Sequence, residues 1–289
     1  MDSVVNLTGF ILAFARTVRL PLLEQIMPKL VYLVLFAALS GCISAQITDS
    51  PRQSSLSIFD AARQREIPVE LYFPDHATRC TSAHPCPVAL ISAGYGISNK
   101  RYAFISSALR ERGYLAVAVQ HELPSDPPLA TDGDLYTGRM PNWQRGAENL
   151  RFVRQFMRRS HPGFNWAQPI LIGHSNGGDI SAWLVHESPV FADSLVTLDN
   201  RRVPLPRRSS PRVLSIRASD FQADAGVLPT DAERKSSGSC VVTIKNARHN
   251  DMQDGGPIDL KNTIAGYVVA FINGGTCKSM VRNHSFKRS

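Results

Sequence analysis

Apolar positions along this chain fall into two alternating rhythms. Continuous apolar runs at residues 87–93, 114–120 and 169–173 read as strands covered on both faces, where no solvent-facing side demands polar residues. Residues 194–198, 212–217 and 240–245 repeat the pattern. Between these runs, apolar residues recur three and four apart. Residues 101–112 set Phe104, Ile105 and Leu109 on one side of a helix that stops at Gly113. Residues 145–159 do the same with Leu150, Val153, Phe156 and Met157, and residues 177–186 and 260–272 complete the helices. Residues 55–60 and 67–73 alternate apolar with polar and predict an opening hairpin. Strands alternating with helices predict an α/β fold: a mostly parallel central sheet with helices on both faces. Right-handed crossovers then gather the C-terminal strand ends on one edge, where sites form.

Two stretches break the rhythm. Residues 122–144 are rich in Pro, Asp and Gly and hold Tyr136, Met140 and Trp143. They read as a long loop leaving a strand end, a candidate wall of a substrate pocket lined by those three side chains. Residues 221–239 read as a second loop above the same edge. No internal repeat is present, so residues 46–289 are expected to form one catalytic domain.

The N-terminal end has a different pattern. Lys29 precedes an apolar run from Leu30 to Leu39, followed by Ser40, Gly41 and Cys42. The run is too short to cross a bilayer, and a basic flank, a short apolar core and small residues make an export signal. Residues 1–45 are therefore expected to target the chain to the periplasm or beyond, with Met27 as an alternative start. Leu39–Cys42 resembles a bacterial lipobox, which would attach the chain to a membrane through a lipidated Cys42. Cleavage after Ala45 is the alternative. Setting Cys42 aside leaves Cys80, Cys86, Cys240 and Cys277, an even number that suits disulfides in an exported chain. Pairing Cys80 with Cys86 and Cys240 with Cys277 is the preferred one of three connectivities.

Composition adds less. The chain has 289 residues, 43% hydrophobic and 19% charged, with net charge +8. That is globular and long enough for a buried site. The basic residues are scattered, and no nucleic-acid-reading motif accompanies them, so a nucleic-acid partner is not expected.

Chemistry concentrates at Gly173–His174–Ser175–Asn176–Gly177, a G-x-S-x-G sequence between an expected strand and an expected helix. A turn this sharp strains the serine backbone and presents its hydroxyl, while the glycines leave room for the turn. In this context the chain resembles the α/β-hydrolase superfamily. It is closer to bacterial esterases of the dienelactone-hydrolase-like and platelet-activating-factor-acetylhydrolase-like groups, over residues 55–272. The resemblance implies a Ser–Asp–His triad in chain order, with the acid after a late strand and the histidine after the last.

Ser175 is then the nucleophile and needs a base. His249, after the last expected strand, holds the position the resemblance implies, and His121 is its main rival. His174 would flank the nucleophile without acting as base. Asp220, at the end of the strand over 212–217, is the expected acid. Asp224 is an alternative, and so is Asp199, because some α/β-hydrolases carry the acid one strand earlier. The resemblance implies the N–H of Asn176 as one oxyanion donor. The N–H of Tyr95, in the Gly94–Tyr95–Gly96 loop, is the choice for the other. Ala93 stands where many relatives have His. These residues imply hydrolysis of a small-molecule carboxylic ester with no metal and no organic cofactor. Amide or peptide hydrolysis on the same fold, or an inactive binding protein with this fold, are the alternatives.

Overall fold

The computed structural model describes residues 52–280. The export segment, Cys42 and the alternative start at Met27 lie outside the described residues. Eight strands form one sheet in the order β1-β2-β4-β3-β5-β6-β7-β8. They are β1 (Gln53–Asp60), β2 (Arg65–Tyr72), β3 (Val88–Ser92), β4 (Leu115–Val119), β5 (Ile170–His174), β6 (Ser194–Leu198), β7 (Arg212–Arg217) and β8 (Cys240–Thr243). β2 runs antiparallel to β1 and β4, and every pairing from β4 through β8 is parallel. The expected hairpin and mostly parallel sheet are both present.

The helices are α1 (Ala103–Arg110), α2 (Leu135–Ser160), α3 (Asn176–Glu187), α4 (Asp231–Ser237) and α5 (Ile258–Ile272). α2 pairs with α3 and α1 with α5. Strand pleating explains the two layers, because successive side chains leave the sheet on opposite faces. Val88, Leu90, Leu115, Val117, Leu171 and Leu195 join α2 and α3 in one core. Ala89, Ile91, Ala116, Ala118, Ile172 and Val196 join α1 and α5 in the other. α2 enters its core through Trp143, Ala147, Leu150, Val153 and Met157, spaced three and four apart. Gly146 lets α3 approach, since a Cβ there would meet the Ile180 side chain at 2.6 Å.

α2 starts ten residues before the expected helix. Its first turns contain Gly138 and Pro141, both poor helix formers, so the sequence reads as loop. Two features override that composition. Asp134 caps the helix by accepting from the Tyr136 and Thr137 N–H groups. Tyr136 and Trp143 meet edge-on at 5.2 Å, and Trp143 lies 6.0 Å from Trp183 of α3. The expected pocket-wall loop over 122–144 is therefore a loop only as far as Asp134.

Disulfides join Cys80 to Cys86 and Cys240 to Cys277, as preferred from the sequence. Among the described residues, no helix is long and apolar enough to cross a membrane.

Candidate active site

β5 ends at His174, and α3 begins at Asn176, which leaves one residue for the turn. Ser175 makes it with φ 53° and ψ −121°, a backbone conformation that costs energy for any residue with a Cβ. Close packing holds the turn in place. A Cβ on Gly173 would collide with the Gly177 carbonyl, and one on Gly177 with the carbonyls of Ser92 and Ala93 at the end of β3. The Ser175 N–H also donates to Leu198 O at 2.8 Å, which ties the turn to β6.

His249 follows β8 and lies against Ser175. Its Nε2 is 2.9 Å from Ser175 Oγ, and its Nδ1 is 2.5 Å from Asp199 Oδ2. Asp199 is fully buried and also has a positive φ, 56°. Its second oxygen accepts from the Ala218 N–H at 3.1 Å and pairs with Arg217 at 2.7 Å. Burial alone would raise the Asp199 pKa. The His249 hydrogen bond, the Arg217 charge and the Ala218 N–H outweigh it and hold the carboxyl below its ordinary value. An ionised carboxylate only accepts, so the proton sits on Nδ1 of His249. Nε2 is left free to accept from the Ser175 hydroxyl.

Asp220, the expected partner of the imidazole, does something else. It lies three residues past β7, and its Oδ1 accepts the backbone N–H of His249 at 2.8 Å. The imidazole partner is Asp199, one strand earlier. Asp199 leaves β6 with a positive φ and sets Oδ2 at the Nδ1 edge of the ring, whereas Asp220 Oδ1 is taken by the main chain. Asp224 is half exposed and lies 4.0 Å from Arg202.

His174 completes the hold on His249. Gly94 N–H can only donate, so Tyr102 Oη accepts it at 2.9 Å and sends its own proton to His174 Nδ1, also at 2.9 Å. His174 Nε2 then carries a proton and donates to His249 O at 3.0 Å. Burial first, then the nearby His249 charge, lowers the His174 pKa to about 3, so the ring stays neutral. The rival base His121 is buried with both ring nitrogens unpartnered and no contact to Ser175. Burial, then Arg65 and Arg145, lowers its pKa to about 3.

On the other flank, Asn176 directs its side chain inward. Its Nδ2 donates to Asn142 Oδ1 at 2.7 Å and to Glu122 Oε1 at 3.1 Å, and its Oδ1 accepts from the Trp143 indole at 2.9 Å. Trp143 is fully buried, so it braces the turn instead of lining a cavity. Tyr136 is more than a third exposed, and Met140 packs at the edge of the core. Neither Glu122 nor Asn142 carries a signal in the sequence, where Glu122 looks like any loop carboxylate. Burial raises the Glu122 pKa to about 7, partly offset by the Asn176 hydrogen bond.

The main-chain N–H of Asn176 opens α3, and that of Tyr95 follows the end of β3. Neither has an acceptor among the described residues. Two free donors at the edge carrying Ser175 suit a developing anion. Among the described residues, no group of three or more His, Cys, Asp or Glu could hold a metal ion.

No protein-family model matches this sequence, and no curated protein matches it. Solved structures do. A ferulic acid esterase from Streptomyces cinnamoneus is 19% identical over 78% of this chain and 89% of its own, with TM-score 0.56. Thermogutta terrifontis esterase 2, phosphorylated by paraoxon, is 13% identical over 77% of this chain and 95% of its own, also at 0.56. Its butyrate-bound form is 13% identical over 74% and 91%, at 0.54. At these identities the likeness is one of fold, and the fold is that of the α/β hydrolases.

Proposed function

We propose that the chain is a serine hydrolase that cleaves carboxylic esters through an acyl-enzyme. One observation carries this reading: the hydrogen-bonded line Asp199–His249–Ser175, with Ser175 on a strained turn between β5 and α3. A serine hydroxyl is a weak nucleophile until a base removes its proton, and the line supplies the base and fixes its tautomer. Ser175 Oγ attacks the ester carbonyl as its proton passes to His249 Nε2. The imidazolium is stabilised by Asp199, and the carbonyl oxygen collects the N–H groups of Tyr95 and Asn176. His249 returns the proton to the leaving alkoxide, and water then attacks the acyl-serine with His249 again as base.

The paired cysteines support an oxidising compartment, and the segment from Lys29 to Cys42 supports export, with membrane attachment if Cys42 is lipidated. Residues 46–289 act as one catalytic domain in this reading.

The test is hydrolysis of p-nitrophenyl esters from acetate to palmitate by the wild type and Ser175→Ala, alongside labelling with a fluorophosphonate probe. Activity should fall by roughly 10⁶-fold in the variant, and labelling should disappear. A folded wild type that cleaves no ester and resists the probe would overturn the proposal.

A further inference from the structure

The loop after β6 brings an arginine to the mouth of this site with its hydrogen-bonding capacity unused. Arg201 lies two residues past Asp199. Its guanidinium stacks 3.4 Å above the centre of the Phe221 ring, and that ring lies 5.8 Å from the ring of His249. Stacking occupies the flat face of a guanidinium and leaves its in-plane N–H donors directed sideways. Among the described residues, no carboxylate comes within 4.0 Å of these donors and the side chain donates no hydrogen bond. Its Nε is buried without a partner.

The neighbouring arginines each have a charge or carbonyl partner, although Arg202 Nε and Arg217 Nη2 also lack a hydrogen bond. Arg217 pairs with Asp199 at 2.7 Å, Arg202 lies 4.0 Å from Asp224, and Arg139 donates to Ala130 O at 2.8 Å. The acids nearest to Arg201 in effect, Asp199 and Asp220, are already committed to His249. Only Nε is buried, so the terminal nitrogens stay open to solvent and to an incoming group, while the buried Nε keeps a donor that no protein atom completes. Phe221, half exposed, holds the guanidinium beside the base and not across the protein surface.

We infer that Arg201, held on Phe221, receives an anionic group of the substrate, so that the preferred ester carries a carboxylate or phosphate a few bonds from the scissile carbonyl. The fork geometry of a guanidinium matches either oxyanion in a two-point contact. This inference rests on the esterase reading and names the substrate class of the same site.

The experiment compares two p-nitrophenyl esters of succinate, one with a free carboxylate and one capped as the methyl ester, on wild type, Arg201→Gln and Arg201→Lys. The wild type should prefer the anionic ester in kcat/KM by roughly 10–100-fold, the worth of one charge-assisted contact. Arg201→Gln should reduce that ratio to near one, and Arg201→Lys should give an intermediate value. The lysine variant also decides the matter if the glutamine variant does not fold. A wild-type ratio near one, or a ratio unchanged in a folded variant, would overturn the inference. Calorimetric titration with succinate and with inorganic phosphate separates the two anions and needs no turnover. If no ester is cleaved, the esterase reading fails, and loss of anion binding in Arg201→Gln still supports the role of Arg201. No binding of either anion to the wild type overturns it.

Discussion

On one flank of Ser175 every polar group of His249 is held. The ring nitrogens face Asp199 and Ser175, the N–H faces Asp220, and the carbonyl faces His174. On the other flank, the Asn176 side chain is equally well held, but the Glu122 carboxyl behind it keeps Oε2 buried and unpartnered. The difference shows how burial acts on a titratable group. Where each atom has a partner, burial fixes one arrangement and one tautomer. Burial also shifts the protonation equilibrium, and at Glu122 the leftover oxygen has no hydrogen bond to oppose that shift.

The sharpest way to break the comparison is to exchange the two acids that hold His249. Asp199→Asn should lower kcat about 10⁴-fold, because the imidazole loses its tautomer and the stabiliser of its charge. Asp220→Asn keeps an acceptor for the His249 N–H and should cost about tenfold or less. Measured kcat on p-nitrophenyl butyrate in the reverse order would return the acid role to Asp220. A smaller effect is expected from Tyr102→Phe, which leaves His174 Nδ1 and the Gly94 N–H unpartnered inside the protein. Urea unfolding should show a loss of about 1–3 kcal/mol, and an unchanged midpoint would mean that the hydroxyl holds nothing. The smallest effect tests the open flank. Glu122 keeps its proton in the folded state up to about pH 7, whereas an unfolded chain releases it near the ordinary 4.5. Between those values the folded state binds more protons, so stability falls as pH rises. Glu122→Gln mimics the protonated side chain. Its melting temperature should match the wild type at pH 5 and exceed it at pH 8. An equal offset at both pH values would show that Glu122 does not titrate in that range.

The strands were legible because a sheet covered on both faces leaves a continuous apolar signature, and β3, β4 and β5 carry it plainly. The contact between Ser175 and His249 was legible because both residues follow strand ends, which spacing reveals. The carboxylate partner of the imidazole was not, because Asp199, Asp220 and Asp224 all follow strand ends and only side-chain direction separates them. The start of α2 was hidden by Gly138 and Pro141, whose propensities lose to packing among Tyr136, Trp143 and Trp183. Glu122, Asn142 and Tyr102 gave no signal, since hydrogen bonds across the fold leave no local trace.

The bond between Cys240 and Cys277 closes a covalent ring spanning 37 positions of sequence, and His249 sits inside it. A protease that cuts once within that ring, on either side of the histidine, separates no fragment. Both new ends stay attached to the body through sulfur, so His249 is not shed by a single cleavage. Under reducing conditions the same cut would leave the piece beyond it held only by its non-covalent packing. In an extracellular setting, where proteolysis and oxidation occur together, the ring therefore converts a severing event into a nick.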